Sequence, residues 1–187
     1  MGRIVLLMSI SLDGFFEGPG GALDWQRVDD ELHRHFNERI ARMSAFLNGR
    51  VLFERMAAFW PTADQDPAST PLMAEYARIW RDMPKYVFSR ALQHADWNAT
   101  LVRDVVPAEI RALAARSPGD LALGGANLAA TFLRHELVDE FRIYVHPVVI
   151  GRGRPLFSPD ARLKLRLLET QTFGNGVVLV RYGRGEG

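Results

Sequence analysis

The chain has 187 residues, 48% of them apolar, enough for one domain with a core of ordinary size. Its 23 Lys and Arg against 22 Asp and Glu leave a net charge of +1, which excludes a strong overall attraction to nucleic acid or to an anionic membrane. The absence of cysteine excludes disulfides, thiolate metal sites and a cysteine nucleophile, and suits a reducing, cytoplasmic compartment.

The apolar opening from Ile4 to Ile10 falls far short of the roughly 20 residues that cross a bilayer and lacks a cleavage pattern, so it reads as a buried first strand. Asp13-Gly14 ends it, and a Gly- and Pro-bearing loop follows over Glu17 to Gly21. From Arg27 to Met43 the apolar residues Val28, Leu32, Phe36, Ile40 and Met43 recur at helical spacing. A short strand at Ala45 to Leu47 leads through Gly49 into a helix that must stop near Trp60, because Pro61 disfavours helical geometry in its predecessor. After a polar loop from Thr62 to Pro71, a helix is predicted over Leu72 to Arg81, then strands at Lys85 to Ser89 and Thr100 to Arg103. Pro107 opens a helix to about Arg116. Leu121 to Leu123 is a buried strand that feeds through Gly124-Gly125 into a helix ending near His135. The alternating stretch Glu140 to Ile150 precedes the Gly151-Arg-Gly-Arg-Pro155 loop, and two last strands flank Gly174-Asn-Gly176 as a hairpin. Alternating strands and helices of this kind predict an α/β architecture around a largely buried sheet, in a single domain over residues 1–187.

The strongest chemical signal is strand, Gly124-Gly125-Ala126-Asn127, helix. Paired glycines admit close approach of a ligand to the backbone, and the free N–H groups of the following helix attract phosphate; a tight turn that serves packing alone reads equally well. The segment is not GxGxxG, so the fingerprint of doubly wound dinucleotide folds is absent. Gly49-Arg50 and Ser89-Arg90 also stand at strand ends, where backbone donors and guanidiniums can converge on an anion. The Gly151-to-Arg154 loop reads as a connector with solvated arginines. Asp29-Asp30-Glu31 occupies the first turn of the first long helix, where carboxylates offset the helix dipole. Asp13 reads first as a turn residue. His33 and His35 lie about 200° apart on a helix and read as solvated, with Glu31 and His35 as a surface pair, so no metal site is recognised. Ser9 and Ser11 have no basic partner at a readable spacing.

Taken in order, MSISLDGFFEG at the start, LNGRVLFE at 47–54, KYVFSRAL at 85–92 and LALGGANLAATFLRHELVDEFRIYVHPVVIGRGRPLF at 121–157 resemble the dihydrofolate reductase superfamily. Within it they are most similar to the reductase domain of riboflavin-pathway deaminase-reductases and its stand-alone relatives. The resemblance implies a three-layer fold with a mixed, mostly parallel central sheet, helices on both faces and a C-terminal β-hairpin. It implies NADPH, with the pyrophosphate near Gly49, Gly124, Gly125, Ala126 and Asn127 and the 2′-phosphate near Arg50, Ser89 and Arg90. It also implies reduction of a C=N or C=O in a pyrimidine- or pteridine-like small molecule, closest to 5-amino-6-(5-phosphoribosylamino)uracil reductase. Trp25 followed five residues later by Asp30 reproduces the spacing of the folate enzymes, which makes both substrate contacts and Asp30 the proton donor, with Asp13 as the second catalytic candidate. The sequence departs from the family at Leu52, where the folate branch has Thr, and it lacks a Ser-Lys-Trp-Ile-Thr-like stretch, an arginine-rich helix and a zinc deaminase segment within these residues. Alternatives are dihydrofolate reductase-like activity, a nucleotide-binding module without turnover, and a structural homo-oligomer whose glycines are only turns. A homodimer through the strand-rich C-terminal part is expected by resemblance, with no nucleic-acid or membrane partner.

Overall fold

Alternate residues of the first strand, β1 (Ile4–Ser11), face opposite ways, and both directions are buried over its first half. That is the signature of a central parallel strand covered on both faces, and the computed structural model, which describes residues 2–185, places β1 there. The remaining main strands are β3 (Ala45–Gly49), β4 (Lys85–Phe88), β5 (Ala99–Val102), β6 (Leu121–Gly124), β7 (Glu140–His146), β9 (Leu165–Thr172) and β10 (Val178–Arg184). They form one eight-stranded sheet in the order β5-β4-β3-β6-β1-β7-β10-β9. Every pairing from β5 to β7 is parallel, and β10 and β9 return antiparallel as the C-terminal hairpin. A separate two-stranded ribbon pairs β2 (Phe15–Glu17) with β8 (Arg154–Pro155).

The helices divide between the faces. Ile4, Leu6, Leu47, Leu121 and Leu123 pack with α4 (Pro107–Arg116) and α5 (Ala126–Arg134). On the opposite face Phe46, Val87 and Ala122 pack with α1 (Asp30–Ile40), α2 (Arg50–Phe59) and α3 (Pro71–Asp82). Tyr144 and Leu179 extend that second face beneath Leu32 of α1. The fold is therefore the three-layer α/β arrangement expected. Among the described residues, no helix is long and apolar enough to cross a membrane.

Several boundaries differ from expectation for identifiable reasons. The alternating stretch from Glu140 ends at His146 because Pro147 has no N–H to continue a ladder. The first helix begins at Asp30, with Asp29 as its cap accepting from Leu32 N at 3.0 Å, so Val28 lies outside the helix and is exposed. His35 is buried, its ring 3.0 Å from the Tyr144 hydroxyl, and Glu31 instead accepts from Gly174 N at 2.8 Å. The surface pair expected of Glu31 and His35 is absent because α1 packs flat on the sheet and His35 shares its inward face with Leu32.

Candidate functional site

All the parallel strands end on one edge of the sheet, and the loops that leave β3, β4 and β6 there open into a cleft of about 800 Å³. Crevices outside the carboxyl ends of such strands are where open α/β sheets bind ligands. Gly49, Arg50, Ser89, Arg90, Gly124, Gly125, Ala126 and Asn127 all line this one cleft, although they come from three separate stretches of sequence.

Their local geometry follows from the residues. Gly125 caps α5 at φ +89°, a conformation that side chains resist, and among the described residues no side chain caps the helix, so its first N–H groups face the cleft without a side-chain acceptor. A Cβ on Gly124 would lie 2.7 Å from Leu52 Cδ2, so the missing side chain lets α2 approach the β6–α5 turn. Leu52 thus has a packing role where a threonine hydroxyl was the family's pattern. Gly49 caps α2 in ordinary extended geometry. Arg50 pairs with Glu54 at 2.8 Å and Arg90 with Asp104, all four on the surface. The Ser89 hydroxyl accepts from Ala91 N and Leu92 N at 3.2 and 3.0 Å, shaping the turn after β4.

The other end of the cleft is different in kind. Leu7, Ile40, Phe46, Met56, Tyr76 and Trp80 enclose an apolar chamber between the sheet and α1, α2 and α3, and Ala122 on the sheet leaves it open. Burial pushes the Tyr76 phenol well above its usual range, so it stays neutral. Glu17 is the only carboxylate among the described residues that line the cleft. It lies 3.6 Å from Arg55 on α2 and 3.6 Å from Arg154 on β8, and Arg154 also donates to Asn127 Oδ1. Arg154, expected as a solvated connector arginine, is therefore part of the cleft wall.

The aspartates expected to be catalytic lie elsewhere. Asp30 is exposed in the first turn of α1 and does not line the cleft, because the inward positions of that helix are taken by Leu32 and His35. Trp25 turns edge-on to His146, with ring centroids 5.5 Å apart, and donates to Ala22 O at 3.2 Å; its neighbours Leu23 and Gln26 reach the cleft instead. Asp13 accepts from Ile150 N and Gly151 N at 3.2 and 2.8 Å, on the surface. The Ser11 hydroxyl and these two amides hold its carboxyl below the ordinary range, which leaves it an anion and not a proton donor near neutral pH. Among the described residues, no group of three or more His, Asp or Glu side chains is arranged to hold a metal ion.

The sequence profile of the RibD C-terminal domain matches residues 3–179. The chain belongs to that family. It is 36% identical over 182 residues to the uncharacterized protein YyaP of Bacillus subtilis, covering 96% of this chain and 94% of that one. Among solved structures it is similar to a putative riboflavin biosynthesis protein from Shewanella, with a TM-score of 0.74, 22% identity and full coverage of both chains. It is also similar to the dihydrofolate reductase of Enterococcus faecalis, solved with NADP(H), with a TM-score of 0.66 and 13% identity over 99% of this chain and 98% of that one. These likenesses establish the dihydrofolate-reductase-like fold.

Proposed function

We infer that this protein is an NADPH-dependent reductase of a small ring compound, reducing a C=N or C=O bond of the kind found in pyrimidine- and pteridine-like molecules. One observation carries the reading: a single cleft of about 800 Å³ has a glycine-lined, donor-rich end and an apolar end, joined without a break. The residues fit the dinucleotide. A side chain at Gly124 would press on Leu52, Gly125 holds a backbone conformation few other residues adopt, and the N–H groups of α5 point outward for a pyrophosphate. NADPH, when bound, supplies the hydride.

The chain's own contribution is binding, alignment and exclusion of water. Arg50 and Arg90 give up exposed ion pairs, each worth about 0–1 kcal/mol, so a 2′-phosphate displaces Glu54 and Asp104 at small cost and gains bidentate contacts. Phe16, Glu17 and Leu23 cover the cleft from the loop side. Neither Asp30 nor Asp13 lines the cleft, Glu17 is ion-paired and burial makes the Tyr76 phenol a poorer acid than usual, so water at the mouth is the proton source in this reading. Second, the protein works as a homodimer. The antiparallel edge strand β9 exposes Leu167 and Leu168, with Leu163 just before it, an apolar edge that a second copy would cover.

Calorimetric titration with NADPH and NADH tests the cofactor reading. NADPH is expected to bind about tenfold to a hundredfold more tightly, and an Arg50→Ala, Arg90→Ala double variant is expected to lose that preference. Equal affinities in the unmodified protein would overturn it. A sedimenting species of one chain's mass at micromolar concentration would overturn the dimer.

A further inference from the structure

We propose that Asn48 reads the substrate: its side-chain amide pairs with a ring edge on which an N–H stands beside a C=O, so the acceptor is a lactam-type ring. This rests on the ring-reductase reading of the same cleft. The carboxylate expected to meet the ring, Asp30, does not line the cleft, so the polar contact has to come from another element. Asn48 stands on β3 two residues after Phe46, and side chains two apart on a strand share a face. Phe46 walls the chamber, so the Asn48 amide belongs to the same side of the sheet, one step nearer the carboxyl edge. In register its neighbours are Val87 on β4 and Gly124 on β6. Gly124 has no side chain to cover it, and a Cβ there would lie 3.6 Å from Asn48 Oδ1. The bare Cα that lets α2 approach therefore also leaves this amide open to the cleft, at the seam between the glycine end and the chamber.

Asn48 is only 3% exposed, it lines the cleft, and among the described residues no protein group bonds to its amide. Buried polar groups are as a rule hydrogen-bonded, so an amide left free at the wall of a cleft is a contact that a ligand completes. Neighbouring polar side chains are engaged: Asn127 accepts from Arg154, and Ser89 shapes the turn after β4. Gln26 is partly exposed on the loop before α1. Ser9 and Tyr76 carry donor and acceptor on one oxygen, whereas an asparagine amide sets them side by side in one plane and can turn over to meet a ring edge in either order. Asparagine reads the edge of adenine by the same bidentate pairing. Strand β3 is hydrogen-bonded to a parallel neighbour on each side, which fixes the backbone that carries the amide.

The test titrates pterin, quinoxalinone and N-methylquinoxalinone into the intact protein by calorimetry, with NADPH absent and present. The first two rings carry the lactam edge, and the third has a methyl group in place of its N–H. Quinoxalinone is expected to bind at least about tenfold more tightly than its methylated form. Asn48→Leu, close to asparagine in size, is expected to weaken pterin and quinoxalinone about tenfold to a hundredfold, to abolish discrimination against the methyl group, and to leave NADPH affinity unchanged. Asn48→Ser, a smaller change that still removes the amide, is expected to give the same split between rings and NADPH. Equal binding of the two quinoxalinones by the unmodified protein would overturn the proposal, as would failure of pterin or quinoxalinone to bind. Discrimination that survives in Asn48→Leu would mean that shape alone excludes the methyl group, and a fall in NADPH affinity with the rings unaffected would place the amide on the cofactor. Either result overturns it, and so does equal loss of rings and NADPH in both variants. NADPH titration of the unmodified protein reports separately on the reductase reading.

Discussion

At the glycine end of the cleft the working groups are backbone amides, set by the left-handed turn at Gly125 and the bare Cα of Gly124, with exposed arginines around them. At the other end they are side chains delivered by three helices and the sheet, where no single residue has an unusual conformation. The first end depends on what is missing from two residues, and the second on the combined volume of many. Damage should therefore be abrupt at one end and graded at the other.

The largest effect is expected for Gly125→Val. A β-branched residue at φ +89° carries strain of about 1–3 kcal/mol and its side chain meets Leu52, so NADPH affinity should fall about tenfold to a hundredfold while pterin binding persists. Calorimetry with each ligand checks this, and equal loss at both ends would break the comparison. Ala122→Leu is the converse. Overfilling the chamber should cost about 1–3 kcal/mol in chemical denaturation and abolish pterin binding, while the nucleotide still binds.

A smaller effect concerns pH. Burial holds His33, His35 and His146 below the ordinary histidine range. The unfolded chain takes up protons near pH 6.5, whereas the folded chain does so only at lower pH, so stability is intact above about 6.5 and declines as pH falls through the folded values. Each histidine contributes a slope of at most ~1.4 kcal/mol per pH unit. His146 Nδ1 accepts from Arg27 N at 3.1 Å, a bond that protonation would break, and its Nε2 is buried without a hydrogen-bond partner among the described residues. Denaturation at several pH values should show a shallower acid decline for His146→Asn, whose carbonyl can accept the same N–H without titrating. The smallest effect is expected for Asp30→Asn, which removes a carboxylate from a helix first turn at about 0.3–1 kcal/mol and should leave both ligands' affinities unchanged.

The contrast between the two ends also explains what was legible beforehand. Strand, glycine pair, helix is a local pattern, and Gly124-Gly125, Gly49 and Ser89-Arg90 were readable because chain direction alone puts the ends of parallel strands together. Pro107 marked the start of α4 because a proline fits a first helical position. The apolar chamber left no such trace: Leu7, Ile40 and Tyr76 look like any core residues until the layers close over one another. Spacing misled at Trp25 and Asp30, since a five-residue offset does not decide which face of α1 turns inward, and Leu32 and His35 decided it. The β2–β8 ribbon escaped notice because strands of three and two residues are too short to show alternation, and Glu17 and Arg154 went with it.

Gly153 touches the backbone of Glu17, and Asp13 accepts from the amides of Ile150 and Gly151. Two segments more than a hundred residues apart in the chain are thereby fastened at both ends of a short ribbon. Any opening of the covered mouth would therefore move them as one body, a single collective motion instead of two independent loop motions. Motions of this kind run on microsecond-to-millisecond timescales. The amides of residues 15–17 and 154 should accordingly report a common exchange rate in relaxation measurements, and a substrate leaving the chamber would be timed by the same clock.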